Sequence, residues 1–194
     1  MKKLLLSIGV LLTAFTSNAQ DVPKGLNLND KAPAFFAKDQ DGKTVKLSEK
    51  LKSGNVVLIF YRGQWCPYCN KELKSLEDSL SLITAKGAML IAITPEKPVN
   101  ISKTIEKTKA TYPILFDNGL AIMKSYDVTF AVDPKIIEKY KGYGIDLTEV
   151  NGSNGANLPV PAVYIINKKG LIVYKYFDAN YKNRASVQDI LDHL

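Results

Sequence analysis

Cys66 and Cys69 are the only thiols in a chain of 194 residues, and they stand three residues apart in the segment WCPYC. Sulfurs at that spacing can share a disulfide, and what else they do depends on where the first one sits. Upstream lies NVVLIFY, a continuous β-branched and aromatic run that reads as a buried strand. Downstream, Leu73, Leu76, Leu80 and Ile83 recur at helical spacing. Pro67 suits the first helical position, because its missing N–H is one that a helix leaves unpaired anyway. Cys66 is therefore the expected helix cap, its sulfur facing free N–H groups and the positive end of the dipole. A thiolate there is stabilised, and its pKa falls below the free value of about 8.5. Cys69, one turn further in, is expected to be the less exposed of the two. One acidic attacker and one resolving thiol are the minimum equipment for thiol–disulfide exchange.

Other uses of the pair fit less well. A structural staple closing so small a loop stabilises by only about 2 kcal/mol before strain. A zinc site needs two more soft ligands, and the single histidine, His193, lies far away at the C-terminus. No metal and no cofactor is expected. His193 reads as a surface residue at a helix end and is given no role. Two inert buried cysteines remain conceivable, but a helix start is the wrong place for them.

The elements that position the pair follow from pattern. LNLNDKAPAFFAKDQDGKTVKLSEKL reads as an extended lead-in and a hairpin around DQDGK. After the cysteines the helix is expected to run to Gly87, which sits where a C-terminus wants a left-handed residue. AMLIAIT is a second buried strand. NISKTIEKTKA reads as a helix opened by Asn100 or Ser102, YPILFD as a short strand, and NGLAIMKSYDV as another helix. Alternating strands and helices imply parallel pairing, with the sheet covered on both faces. The stretch from Thr129 to Asn157 is a mostly polar insertion, in which Asp133-Pro134 can open a short helix. VPAVYIIN, the turn KKG and LIVYKYF pair as a hairpin, and SVQDILDHL closes the chain as a helix capped by Ser186. The expectation is an α/β fold built on a central mixed sheet.

The first residues are read apart from that fold. Lys2 and Lys3, the apolar run Leu4 to Phe15, and small residues at Ser17 and Ala19 have the pattern of a cleaved signal peptide over residues 1–19. Residues 20–194 are then one domain, exported to a periplasmic or extracellular space, with no stable membrane insertion after cleavage. A chain of about that length buries about 70% of its unfolded surface in one core. The formal charge is +7, but the lysines are scattered and interleaved with acids. Arg62 and Arg184 are the only arginines, so no nucleic-acid partner is expected.

WCPYC is similar to the active site of thioredoxin-fold proteins, and its CPYC carries the dipeptide of glutaredoxins. VPAVYIINKKG resembles the stretch after the active site in that fold, which implies a cis bond at Val160-Pro161, with Val160 offering its backbone to an extended substrate. The longer frame, NDKAPAFFAKDQDGKTVKLSE, VVLIFYRGQWCPYCNKELKSL and YPILFDNGLAIMKSYDV, resembles the peroxiredoxins of the alkyl hydroperoxide reductase/thiol-specific antioxidant group. GIDLTEVNGSNGANLPVPAVYIIN and YKNRASVQDILDHL resemble a peroxiredoxin-like branch that carries CPYC. The resemblance implies a thioredoxin-like fold with a hairpin extension and an insertion before the cis-proline strand.

The chain also departs from the family pattern. Where peroxiredoxins place a proline, a threonine and the peroxide-attacking cysteine, this chain has Arg62, Cys66 and Cys69, and Pro161 holds the place of their later arginine. Arg62 can stand in as the cation. Thioredoxins keep a buried aspartate six residues before the first cysteine, where this chain has Phe60. Two enzymatic readings follow. In the first, Cys66 attacks a protein or small-molecule disulfide and Cys69 resolves it, Trp65 and Pro161 framing the groove, at a potential of about −200 to −230 mV if the couple resembles glutaredoxins. In the second, Cys69, or alternatively Cys66, is oxidised to a sulfenic acid by hydrogen peroxide or an organic hydroperoxide, and the other cysteine condenses with it. An external dithiol such as a thioredoxin-like protein would then reset the pair. A non-catalytic binding module on the same fold is the third reading.

Overall fold

The computed structural model describes residues 22–194, so the signal-peptide reading of residues 1–19 lies outside the described residues. A hairpin comes first, β1 (Phe36–Lys38) and β2 (Thr44–Lys46), paired antiparallel. Asp39 closes its turn by accepting from the N–H groups of Asp41 and Lys43, the usual work of an aspartate in a turn. Helix α1 (Leu47–Ser53) leads into β3 (Asn55–Phe60). Helices α2 (Pro67–Asp78) and α3 (Leu80–Ala85) return the chain to β4 (Ala88–Thr94), and α4 (Pro98–Thr108) returns it to β5 (Ile114–Phe116). Helix α5 (Ala121–Ser125) precedes a segment holding β6 (Thr129–Ala131), α6 (Pro134–Gly142), α7 (Leu147–Asn151) and β7 (Asn157–Pro159). Strands β8 (Ala162–Ile166) and β9 (Ile172–Phe177) and helix α8 (Val187–Asp192) complete the order.

Five strands form the central sheet in the order β5-β4-β3-β8-β9. β3 pairs parallel with β4 and β4 with β5, whereas β8 runs antiparallel to both β3 and β9. The sheet is mixed, as the strand-helix alternation and the closing hairpin require. Val56, Leu58 and Phe60 point to one face, against Leu47 of α1, Met123 of α5, Tyr126 and Tyr164. Val57, Ile59 and Tyr61 point to the other, against Leu73, Leu76, Ile83, Ile101 and Ile190. Both faces are covered, so β3 is apolar without alternation. Each such side chain contributes about 1.5–3 kcal/mol when fully buried. The loop that carries the cysteines hangs from the end of this best-anchored strand.

Four local expectations are corrected. The helix after the cysteines does not run unbroken to Gly87. Ser79 N–H bonds back to Leu76 O at 3.3 Å, a tightened turn, and the helix restarts with Ile83 N–H on Ser79 O. Neither side chain caps the break, Asp78 being paired with Lys74 and Ser79 making no cap bond, and Gly87 takes its left-handed φ of 74° after the second piece. Helix α4 begins at Pro98 rather than at Asn100 or Ser102, because proline fits the first position. Asn100 is buried instead, its amide donating to Val150 O. The insertion is more than a polar stretch with one short helix: α6 opens at Asp133-Pro134 as expected, but β6 and β7 also pair antiparallel, and Val132, Leu147 and Leu158 form a small core beneath α6 and α7.

The fourth correction concerns Val160-Pro161. No peptide bond among the described residues is cis. The backbone runs extended from β7 through Val160 into β8, with Val160 N–H donating to Val128 O at 2.7 Å, and a trans bond continues that path. The N–H of Val160 is thus already used.

Candidate active site

Strand β3 and helix α2 deliver the thiols as the sequence requires. Cys66 is the N-cap of α2, extended at φ −88° and ψ 110°, with Pro67 at the first helical position. Its sulfur accepts from Cys69 N–H at 3.4 Å and from the Cys69 S–H at 2.7 Å. Both cysteines are free thiols. Neither is open to solvent: Cys66 is 1% exposed and Cys69 0%, so the expected contrast in exposure is absent. What separates them is proton affinity. Cys66 is pulled down to about 6, chiefly by the hydrogen bond from Cys69, with its N–H and the charges of Arg62 and Arg184 helping against burial. Cys69 is pushed well above the usual thiol range by burial, and by acting as the donor to a charged Cys66. The pair has one thiolate and one proton donor.

Two guanidinium groups bear on the sulfurs. Arg184, in the segment between β9 and α8, places Nη2 3.3 Å from Cys69 Sγ and 4.0 Å from Cys66 Sγ. Its Nε lies 2.8 Å from Glu72 Oε2, with both side chains nearly buried. Sequence reading gave Arg184 and Glu72 no role. Only Glu72 left a signal there, at helical spacing from Cys69. Burial drives Glu72 up to about 8, with the charge of Cys69 adding and Arg184 opposing.

Arg62, singled out from the sequence, is buried and clamped among rings. Its guanidinium lies 4.8 Å from the Trp65 ring centroid and 4.2 Å from that of Tyr181, and Nη2 donates to the Tyr140 hydroxyl. Trp65 in turn packs on Tyr140, centroids 5.2 Å apart, so the insertion reaches the site through α6. Arg62, Val160 and Pro161 share one apolar cavity of about 180 Å³ with Phe130, Leu158 and Tyr140. Of the residues expected at the site, Arg62 is thus the link: it packs on Trp65, bears on Cys66 and lines the cavity with Val160 and Pro161, whereas neither Val160 nor Pro161 is placed against a sulfur.

Beneath the loop, Glu96 is fully buried and accepts from Gln64 N–H at 2.7 Å. Burial pushes it up to about 8, against the pull of that hydrogen bond. Gly63, at φ 156°, has room for no side chain: a Cβ there would lie 2.6 Å from Trp65 Nε1 and 2.7 Å from the Glu96 carboxyl. Among the described residues no group of three His, Cys, Asp or Glu side chains is placed to hold a metal ion.

Comparison with known proteins bears on this geometry. Peroxiredoxin Q, a chloroplastic protein of Triticum aestivum, is 30% identical over 144 residues, 74% of this chain and 56% of that protein. The chain thus spans less than two thirds of that relative. The thiol-disulfide oxidoreductase ResA of Bacillus thuringiensis subsp. konkukian is 28% identical over 125 residues, 60% of this chain and 71% of that one. The crystal structure of peroxidoxin BcpB from Mycobacterium tuberculosis superposes with a TM-score of 0.67 at 18% identity, covering 86% of this chain and 94% of that one. This likeness shows the fold, which is thioredoxin-like. Residues 28–175 match the AhpC/TSA family, a stretch that takes in the hairpin, the thiol loop and both central strand pairs, and the chain belongs to that family.

Proposed function

We propose that the chain is an exported oxidoreductase that carries out thiol–disulfide exchange through Cys66 and Cys69. The observation that carries this reading is the division of labour between the sulfurs, Cys66 held as thiolate at about 6 by the Cys69 donors and Cys69 kept protonated. Thiolate attack on a substrate disulfide then starts at Cys66 near neutral pH. A mixed disulfide forms and one substrate thiolate leaves. Cys69 attacks the Cys66 sulfur, the second substrate thiolate leaves, and a thioredoxin-like dithiol protein resets the pair. Relatives named as thiol-disulfide oxidoreductases support the class. Export rests on the pattern of residues 1–19, and N-terminal sequencing of the secreted product tests it: an uncleaved, cytoplasmic chain would remove that part.

Burial favours a second reading. With Cys66 only 1% exposed and two arginines beside the sulfurs, a small oxidant reaches the thiolate more readily than a folded disulfide does. In a peroxidase of this build Cys66 is the attacker, because Cys69 holds its proton. The test uses Trp65, the only tryptophan, as reporter. Reduced protein is mixed rapidly with a small disulfide or with hydrogen peroxide, and fluorescence is followed against concentration. Disulfide exchange predicts a peroxide rate no faster than a free thiol at equal thiolate fraction. A peroxide rate orders of magnitude faster would replace the first reading with the second.

A further inference from the structure

We propose that Glu72 is the proton acceptor for Cys69 in the resolving step, with Arg184 as the counter-ion that both groups share. This rests on the disulfide-exchange reading and assigns the base it lacks, since Phe60 stands where a thioredoxin keeps an aspartate. Glu72 and Cys69 are three apart on α2 and so share a face of that helix. Arg184 bridges them, with Nε 2.8 Å from Glu72 Oε2 and Nη2 3.3 Å from Cys69 Sγ.

A buried cation needs an anion beside it, and a second buried anion is costly. In the reduced protein the Cys66 thiolate is that anion, and Glu72 is held up at about 8, largely neutral. Once Cys66 has attacked, its sulfur is bonded to substrate and carries no charge. Glu72 is then the acid left to balance Arg184 and ionises. Its proton leaves through a cleft of about 450 Å³ that Tyr68, Lys71, Lys182 and Arg184 line with it. Cys69 next gives its proton to the Glu72 carboxylate while the guanidinium holds the new thiolate. The sulfur lone pair attacks Cys66, the Cys66–substrate S–S bond breaks, and the substrate leaves as a thiolate with the electron pair. In the disulfide product Glu72 releases that proton again through the same cleft, so that one negative charge faces Arg184 at each resting stage.

Other groups face these two. Cys69 also meets Cys66, the backbone of Arg62 and the charge of Glu96. Tyr112 and Tyr176 face Glu72, and burial raises both phenols. Glu96 is the rival acceptor, with Lys103 and Lys107 bearing on it, but no arginine is recorded between it and Cys69.

The test is stopped-flow reaction of the reduced full chain with dithiobis(nitrobenzoate), whose coloured thiolate is released once when Cys66 attacks and again when Cys69 resolves. The readout is the ratio of the two rates across pH. Glu72→Gln is expected to slow the second phase relative to the first by about 100-fold near neutral pH, with a second phase that keeps rising with pH because hydroxide replaces the base. Glu72→Asp should recover part of the ratio, and Arg184→Met should lose it. A cooperative urea unfolding transition reports that each variant is folded. An unchanged ratio in Glu72→Gln overturns the proposal, as does a collapse of the ratio in Glu96→Gln but not in Glu72→Gln. Wild-type protein with no second phase overturns the exchange reading and the proposal together, whereas a two-phase wild type with an unaffected variant overturns the proposal alone.

Discussion

Arg184 Nη2 stands 3.3 Å from Cys69 Sγ although 115 residues separate them in the chain. The same guanidinium pairs with Glu72, whose side chain is 5% exposed, so its removal strands a buried acid. Glu72 can escape that penalty by holding its proton, and does so more easily at low pH. Arg184→Met is therefore expected to destabilise the reduced protein by about 1–3 kcal/mol at about pH 9 and by less at about pH 5. Urea midpoints at the two pH values measure this. An equal loss at both would mean that Arg184 acts by packing alone.

The acidity of Cys66 depends first on its neighbour. The Cys69 S–H at 2.7 Å is the largest favourable influence, ahead of the Cys69 N–H and both arginines. Alkylation of the reduced protein by iodoacetamide should show a midpoint near 6. In Cys69→Ala the S–H donor is gone and the N–H remains, so the midpoint should move up toward the free value of about 8.5. A midpoint that stays put would assign the acidity to the helix end and the arginines.

How much of this was legible in the sequence differs from residue to residue. The strand ending before Cys66, the cap at Cys66 ahead of Pro67 and the closing hairpin are written in local pattern, because strand and helix periods and proline's missing donor act within a few residues. Ser186 was legible for the same reason, and it forms a full capping box with Asp189. Arg184 was not, since nothing local marks a side chain that folds back onto α2. Glu72 left a faint mark in its spacing from Cys69. Within the insertion α6 was legible at Asp133-Pro134, but α7 was not: it has five residues, too few for an apolar stripe to show, yet Leu147 is wholly buried. The trans bond at Val160-Pro161 departs from the resemblance, at a place where Val160 N–H is tied to Val128 O just after β7.

Gly63 tests how tightly the thiol loop is fixed. Its φ of 156° and the 2.6–2.7 Å approach of Trp65 Nε1 and the Glu96 carboxyl leave no place for a methyl group. Gly63→Ala should push Trp65 off the Arg62 guanidinium and cost about 1–3 kcal/mol. A Trp65 emission shift together with a lowered urea midpoint is the expected result. An unchanged spectrum and midpoint would show that the loop gives way freely.

Arg62 gives the next prediction. Clamped by Trp65, Tyr140 and Tyr181, it adds to the depression of Cys66 from a fixed position. Arg62→Met keeps most of the buried stem and removes the charge. The alkylation midpoint of Cys66 should rise, by less than in Cys69→Ala, because the arginine ranks below both Cys69 donors among the causes. A rise larger than that of Cys69→Ala would reverse this order and make Arg62 the main source of the thiolate.

Glu96 sets a pH dependence that can be isolated. Its carboxyl is fully buried and rises from 4.5 to about 8 on folding. Between those values the folded chain binds a proton that the unfolded chain has lost, so this group's stabilisation is complete below about 4.5 and fades as pH climbs through about 8. Glu72, also raised to about 8, works in the same sense, and Cys66 in the opposite one, gaining stability as pH rises from about 6, so the wild-type profile alone mixes these groups. The difference between Glu96→Gln and wild type separates them. Glutamine keeps an oxygen for the Gln64 N–H and never ionises. The variant should therefore gain on wild type as pH rises from about 5 to about 8.5, by on the order of a few kcal/mol. Urea unfolding across that range provides the measurement. A difference that is flat with pH would mean that Glu96 titrates normally in the folded protein, with water reaching a carboxyl that the packing encloses.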